Sequence, residues 1–383
     1  MTTTTVSSAE RQYRRVVNAW CLYDWANSAF ATTVMAALLP PYFSNVAAAG
    51  LPGAQATSYW GYGVSLSMVL VAVMGPILGA IADYAGGKKR FLGGFLVVAL
   101  VFTGMLFFVG EGDWVAALVF YILASIGNGG ANVFYDSLLP HVAKPEDIDR
   151  VSSRGYALGY IGGGLLLLIN ILMIYFGPKL LPNMPEEQAT QLMMRLSLAS
   201  VAVWWAVFSI PIFRKVDEPA AMAEETELGQ SGVTVSLKRL GKTFRDIRDY
   251  KDLFWFLLTF MVYSNGIGTI ITMAAIYGAE LGIGQTTLIG VILMVQFVAA
   301  PFSFLFGWGF AVQDARASAR GASVVGPWLR RCGVRNGCVS RSVPRTQRTS
   351  PPRWRALRQA ATRQRRPPLL MYVAPERSTI SLV

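Results

Sequence analysis

Long apolar runs separated by polar segments dominate the first 310 residues of the chain. Each run approaches or exceeds the roughly 20 residues with which an α-helix crosses about 30 Å of hydrocarbon. Because lipid offers no partner to backbone N–H and C=O groups, such runs predict helices, and they lack the short alternation of membrane β-strands. The predicted membrane helices cover residues 17–43, 59–82, 91–110, 114–139, 154–177, 192–213, 252–278 and 286–309.

The spacing of these helices predicts an all-α polytopic membrane protein. Six helices precede a long polar stretch, and two follow it. A six-helix bundle, a charged linker and the start of a second bundle form the layout of a two-half transporter. The predicted segments are a cytoplasmic N-terminal segment 1–15, a six-helix bundle 16–213, a cytoplasmic linker 214–251, helices 7 and 8 of an incomplete second bundle at 252–309, and an Arg-rich disordered tail 310–383.

The basic residues predict how these helices are oriented. With a cytoplasmic N-terminus, 17 Lys and Arg residues fall in inside segments, and two, Lys179 and Arg195, fall in outside segments. This asymmetry follows the positive-inside rule and predicts a multi-pass protein of the cell (inner or plasma) membrane. The first apolar run has no small-residue cleavage pattern, so we interpret it as a membrane helix and not as a signal peptide.

The tail has a different composition from the rest of the chain. Residues 311–383 hold 15 Arg and no Lys, with two acidic residues, whereas residues 1–310 hold 19 Lys and Arg against 20 Asp and Glu. We expect either a reading-frame shift near codons 309–311 or a disordered basic tail that binds anionic lipid or nucleic acid. Because its arginines are not interleaved with aromatic residues, the tail is a poor nucleic-acid domain and no nucleic-acid partner is expected. Under the first interpretation, one inserted or deleted base in the gene would restore further membrane helices.

The turn between the second and third predicted helices carries the best-defined motif. A carboxylate near a helix end, a glycine that tolerates positive φ and a basic cluster predict a charge-assisted gating loop between two bundles. Alternatively, the basic residues merely follow the positive-inside rule. The motif fits G-x-x-x-D-x-x-G-x-K-K, and the predicted gating residues are Gly79, Asp83, Gly86, Lys88, Lys89 and, from a later segment, Arg154.

This turn resembles the signature between helices 2 and 3 of the major facilitator superfamily. Four other stretches resemble its vacuole-effluxer-like branch, related to the autophagy-linked amino-acid exporters of fungal vacuoles: Trp20–Phe30, Val133–Pro140, Ser152–Tyr160 and Val295–Pro301. The resemblance covers about residues 16–309. It implies the major facilitator fold, with twelve helices in two bundles, alternating access and transport of a small solute, amino acids being the best-known case. With a second bundle truncated after helix 8, transport is expected to be impaired.

Two acidic residues lie clearly within the predicted helices. A charge at the centre of a bilayer costs roughly 2.5–3.5 kcal/mol on insertion scales, so such residues are functional candidates. Polar neighbours three, four, seven or eight positions apart share one helix face. We expect two such faces to line the path of solute or protons. They carry Asp24 and Asn27 on the first helix, and Asn128, Asn132, Tyr135 and Asp136 on the fourth.

Other interpretations of these polar positions stay open. Asp136 can instead form a structural ion pair with Arg150 or Arg154 near the end of its helix. On the seventh helix, Asn265 between Ser264 and Gly266 indicates either an unwound segment that lines a cavity or close helix packing. Gly159-x-x-x-Gly163 indicates close packing alone.

Motifs for other chemistry are missing from the sequence. It contains no P-loop, G-x-S-x-G or H-E-x-x-H, so neither ATP-driven transport by this chain alone nor an enzyme is indicated. Three cysteines at no metal-like spacing predict no metal site, and no cofactor is expected. The expected partners are the lipid bilayer, a small solute and protons as a coupling ion. Alternatives are a non-transporting membrane protein or inactive remnant, and a transporter of another facilitator branch such as the sugar–cation symporters.

Overall fold

A computed structural model describes residues 7–85, 87–219, 241, 245 and 251–320. This described part is helical and contains no β-strand. The packing discussed below lies within the compact unit that ends at Ala311. The α-helices are α1 Ser8–Ala29, α2 Leu39–Tyr42, α3 Gly53–Ala85, α4 Lys88–Met105, α5 Trp114–Val142, α6 Ile148–Phe176, α7 Glu186–Lys215, α8 Lys251–Glu280 and α9 Gln285–Arg320.

The first predicted membrane helix is helical throughout but changes its hydrogen-bond register. After α1, Phe30–Leu38 is π-helical, and a second π-helical stretch, Phe43–Ala47, follows α2. Pro40 and Pro41 lie in α2 and have no backbone N–H to donate, so the regular i→i−4 pattern is interrupted there. The run from Ser8 to Ala47 is therefore a succession of helical segments and not one regular helix.

Seven helices in the described part are long and apolar enough to cross a bilayer. They correspond to the second to eighth predicted helices, and this confirms the prediction of a polytopic helical fold. Several helices begin before the predicted residue, because their polar first turns extend beyond the apolar run. The spans are Gly53–Gly79, Lys88–Phe108, Trp114–Val142, Pro145–Phe176, Glu186–Lys215, Lys251–Gly278 and Thr287–Leu305.

The first and last described helices extend into segments predicted to lie outside the membrane. Within the predicted N-terminal segment 1–15, α1 begins at Ser8, where the Ser7 side chain accepts a hydrogen bond from the Glu10 N–H at 3.2 Å. α9 continues to Arg320, past residue 310, where the predicted tail begins. The predictions for residues 321–383 and for most of the linker 214–251 lie outside the described residues.

The first bundle consists of two groups of helices. α1 packs against α6 and α7, and α5 packs against α3 and α4. Contacts between α4 and α7 and between α1 and α5 join the two groups. Glycines of α6 allow α1 to approach closely: a Cβ atom at Gly163 would lie 2.6 Å from Thr32 Oγ1, and one at Gly162 would collide with the backbone oxygen of Trp25. Such small-residue stripes let membrane helices pack backbone to backbone.

A candidate polar site between α1, α5 and α6

Asp24 lies on the buried side of α1 and is 7% exposed. Its Oδ2 atom faces α6, where a Cβ atom at Gly155 would lie only 3.1 Å away. The same Cβ would lie 2.8 Å from the Trp20 ring, so the missing side chain at position 155 leaves room for both groups. A carboxylate is thus held inside the bundle at a helix–helix interface, where a charge is costly unless it is used.

Asn27 and Asn132 join α1 to α5. The Asn27 Nδ2 donates to Asn132 Oδ1 at 2.7 Å, although 105 residues separate them in the sequence. One turn earlier on α5, the Asn128 Oδ1 is buried and has no hydrogen-bond partner among the described residues. Since buried polar atoms are usually paired, the Asn128 oxygen is an unused hydrogen-bond acceptor inside the bundle. The structure therefore brings the two predicted polar faces together.

Tyr135, a predicted residue of the solute path, is covered by aromatic residues of α1. It is 4% exposed, and its ring stacks on Trp20 with centroids 4.4 Å apart and on Tyr23 with centroids 4.7 Å apart. The Trp20 Nε1 also donates to the Tyr135 carbonyl oxygen at 3.2 Å. Because two α1 aromatics cover the ring, Tyr135 packs α5 against α1, and its place on the face with Asn128 and Asn132 does not expose it.

Asp136 is exposed on the surface of the first bundle. In the part of the chain that the structure describes, it forms no ion pair with Arg150 or Arg154, so the alternative of a structural bridge has no support. Its charge is close enough to Asp24 for the two carboxylates to interact.

The glycine-rich turn of the motif is described only in part. Gly79 lies inside α3, which continues to Ala85, and a Cβ atom there would meet nothing within 4 Å. Asp83 belongs to the described backbone of α3, but its side chain and Gly86 lie outside the described residues. In the described part of the turn, Gly87 is left-handed, with φ of 74°.

The two lysines of the motif hold the first bundle together. The Lys88 Nζ, on a residue that is 7% exposed, donates to the Ser137 carbonyl oxygen of α5 at 3.3 Å. The Lys89 Nζ donates to the carbonyl oxygens of Phe213 and Val216, at 2.8 and 2.6 Å, where α7 ends. These contacts tie α4 to α5 and α7, which are all in the first bundle.

Of the two interpretations of the Asn265 region, the structure does not show the unwound segment. α8 is continuous from Lys251 to Glu280, so the segment around Asn265 is not unwound. The Asn265 side chain is exposed, and its Nδ2 donates to the Met261 carbonyl oxygen of its own helix at 2.8 Å. Gly268 instead meets α3, since a Cβ there would lie 3.5 Å from Met68 Cε. The alternative of helix packing therefore fits this region.

Sequence reasoning missed two residues of the site. Gly155 makes room for Asp24, and Trp20 orders Tyr135 through a hydrogen bond and a stacked ring. Gly155 could have been found, because it stands four residues before Gly159 and extends the Gly159-x-x-x-Gly163 stripe by one turn. Trp20 gives no comparable signal, since an aromatic residue in an apolar run is ordinary core material.

Comparison with known proteins defines the class to which this helical bundle belongs. The chain is 40% identical over 298 residues to the uncharacterized MFS-type transporter YxiO of Bacillus subtilis, an alignment that covers 78% of this chain and 68% of that protein. Together with the seven membrane-length helices, this makes the chain a multi-pass membrane protein of the MFS transporter class.

The family is narrower than the class. Residues 12–322 match the model of the vacuole effluxer Atg22-like family, and the chain belongs to that family. It is 28% identical over 166 residues to autophagy-related protein 22-1 of Aspergillus niger, covering 42% of this chain and 25% of that protein. It is 24% identical over 307 residues to autophagy-related protein 22 of Coccidioides immitis, covering 64% and 49%. The chain thus spans half or less of the length of these fungal relatives.

Proposed function

We propose that this protein moves a small solute, such as an amino acid, across the cell membrane by secondary active transport with alternating access. The observation that carries the proposal is the polar group inside the first bundle, where the buried Asp24 shares a face of α1 with Asn27, whose amide donates to Asn132 of α5. A structural core of membrane helices does not need a buried carboxylate, because it costs free energy there unless a partner or a task compensates.

The chemistry of the group suits an amino acid. A carboxylate attracts an ammonium group, and an amide side chain both donates to and accepts from a polar solute. The unpaired, buried acceptor Asn128 Oδ1 adds a further hydrogen-bonding position on the same side of α5 as Asn132. The proposed function is transport without catalysis, and it requires no cofactor.

Proton coupling is part of the proposal. Asp24 and Asp136 interact electrostatically, so the arrival of a cationic group or a proton at one carboxylate relieves repulsion of the other. A proton and a solute cation then compete for the same carboxylate, and this links the two flows. We place the N-terminus and the turn at 86–90 on the cytoplasmic side, following the distribution of basic residues.

Asp24→Asn tests the proposal directly. The full chain, reconstituted in liposomes, is assayed for uptake of a panel of radiolabelled amino acids with and without a pH gradient. We expect Asp24→Asn to abolish gradient-driven uptake, because the amide cannot exchange a proton, while membrane insertion and abundance stay unchanged. Asp252→Asn removes the same charge from the exposed first turn of α8 and should transport like the parent. Undiminished, still gradient-dependent uptake by Asp24→Asn would refute the assigned role.

A further inference from the structure

A second polar region lies near the N-terminal ends of α1 and α6. It is closer to those ends than the group formed by Asp24, Asn27 and Asn132, which we call the Asp24 group. A cavity of about 820 Å³ opens there between the two helices and is bordered by Phe304 and Gly307 of α9. We call it the α1–α6–α9 cavity. Its volume falls within the roughly 300–1,000 Å³ of sites that bind small molecules.

The cavity lining carries more positive than negative charge. Glu10 is paired with Arg14 through a 2.9 Å contact between Oε1 and Nε, and Asp147 accepts a hydrogen bond from the Tyr13 hydroxyl at 2.9 Å. Both acidic residues are thus already engaged, and Arg150 and Arg154 supply further positive charge to the lining.

Tyr13 keeps Asp147 engaged. Burial, and after it the hydrogen bond to Asp147, raise the pKa of Tyr13, which lies before the first apolar run. The phenol therefore stays protonated at neutral pH and continues to donate to that carboxylate. Lys144 lies over the same ring, with its Nζ 4.8 Å from the ring centroid, and this fixes the tyrosine from the other side.

Arg150 and Arg154 form a matched pair of cations. They stand four residues apart on α6, so their side chains leave the same face of the helix, about 5–6 Å apart at the Cβ atoms. Within the described residues, neither arginine forms an ion pair. Asn18 and Ser153 add an amide and a hydroxyl to the lining. Two guanidinium groups with neutral donors beside them are the arrangement that binds carboxylate or phosphate oxygens.

The cavity is separate from the Asp24 group but lies on the way to it. Asn18 lines the cavity, and Asp24 follows six residues later, about 9 Å further along the helix. Arg154 immediately precedes Gly155, which faces the Asp24 carboxylate. An anion held by the arginines would therefore sit one to two turns away from Asp24, too far for direct contact with it.

We propose that the α1–α6–α9 cavity binds a carboxylate or phosphate group between Arg150 and Arg154. Two sources can present such a group: a small anion free in solution, or the headgroup of an anionic lipid at the edge of the bilayer. The proposal concerns binding alone, so its test does not depend on transport activity.

The test measures binding by the purified full chain in a neutral detergent and in nanodiscs. In detergent, inorganic phosphate or succinate is titrated at constant ionic strength, with chloride as the reference salt, and the shift in thermal midpoint gives the affinity. In nanodiscs of phosphatidylcholine with or without phosphatidylglycerol, native mass spectrometry counts retained lipid. The variants are Arg150→Gln, Arg154→Gln and the double variant. The matched control is the double variant Arg11→Gln with Arg15→Gln, because both of these exposed α1 cations lie outside the cavity lining.

We expect the double variant to bind the probes at least about tenfold more weakly, because a tenfold change corresponds to the loss of one charge-assisted hydrogen bond. The affinity of the control pair should stay close to that of the parent. Loss of the phosphate or succinate shift identifies a free anion, and loss of phosphatidylglycerol retention identifies a headgroup. Because both arginines are exposed, each single variant should fold and show a smaller loss. The proposal is overturned if the parent binds none of these probes, or if the arginine variants bind them as the parent does.

Discussion

At the scale of single residues, the hydrogen bond between Asn27 and Asn132 is the contact on which the polar group depends. It joins two helices across the bundle, and each amide is positioned by the other. In membrane proteins such contacts contribute about 0.6 kcal/mol on average and at most about 1.7 kcal/mol. Their value lies in orientation as much as in stability, since an amide that is held can present its remaining donor and acceptor to a solute.

A double-mutant cycle with Asn27→Ala and Asn132→Ala measures this contact. We expect a coupling free energy of roughly 0.6 kcal/mol in detergent unfolding, because either single change removes the same hydrogen bond. Asn265→Ala combined with Asn132→Ala is the control, since the Asn265 amide binds its own helix and should show no coupling. A coupling free energy near zero for the Asn27 and Asn132 pair would mean that the hydrogen bond does not form in the membrane.

At the scale of helices, the end of α7 and the start of α4 stabilise each other. The last carbonyl groups of a helix have no partner in the helix and carry partial negative charge, and the Lys89 ammonium group binds two of them. In return, the Glu218 carboxylate accepts the Lys89 backbone N–H at 3.1 Å in the first turn of α4. The motif thus has a structural role within the first bundle.

Replacement of Lys89 tests this role. Lys89→Met should lower the free energy of unfolding by about 1–3 kcal/mol, since it leaves two carbonyl groups at the α7 end without their charged donor. Arg90→Met removes the neighbouring charge, which is exposed, and should change stability little. Equal stability of the two variants would leave Lys89 with no role beyond the positive-inside rule.

Close packing of α4 on α5 depends on glycine. A Cβ atom at Gly127 would lie 2.5 Å from the Ala99 backbone nitrogen, whereas one at Gly94 would meet nothing within 4 Å. We therefore expect Gly127→Ala to destabilise the protein by about 1–3 kcal/mol, because two backbones must separate. Gly94→Ala should instead stabilise α4 by about 0.5–1 kcal/mol. Thermal unfolding in detergent compares the two, and stabilisation by both would show that α4 and α5 are not in backbone contact.

At the scale of the whole molecule, the central prediction is the orientation in the membrane. Cysteine placed at Arg90 of the protein without its natural cysteines should react with a membrane-impermeant maleimide from the cytoplasmic side only. Cysteine placed at Glu111, on the exposed turn between α4 and α5, should react from the opposite side only. Reaction of both positions from the same side would contradict the orientation and the transport path derived from it.

The exposed surface also follows from this membrane setting. α8 and α9 present many large apolar side chains, among them Trp255, Val262 and Phe302, which are 63–65% exposed. In water such a surface would be costly, but lipid tails are as apolar as these side chains. The apolar runs therefore predict membrane insertion without predicting which helix faces a helix and which faces lipid.

The sequence by itself determined what depends on local length and charge. A run of apolar residues crosses the bilayer because of its own hydrophobicity, so the seven membrane-length helices of the described part and their approximate ends could be derived from consecutive residues. The orientation stays a prediction from the basic residues. The first helix was the exception: its π-helical turns were not predicted from an apolar run that contains Pro40 and Pro41.

Only the tertiary structure decided which polar residues meet. Asn27 and Asn132 lie 105 residues apart, and Asp24 has room because α6 has a glycine at position 155. Tyr135 shares a helix face with Asn132 yet is covered by aromatics of α1, and Asn265 lies in a polar setting yet faces outward. Such outcomes depend on which faces of different helices pack together, and side-chain shape across the whole bundle determines that packing.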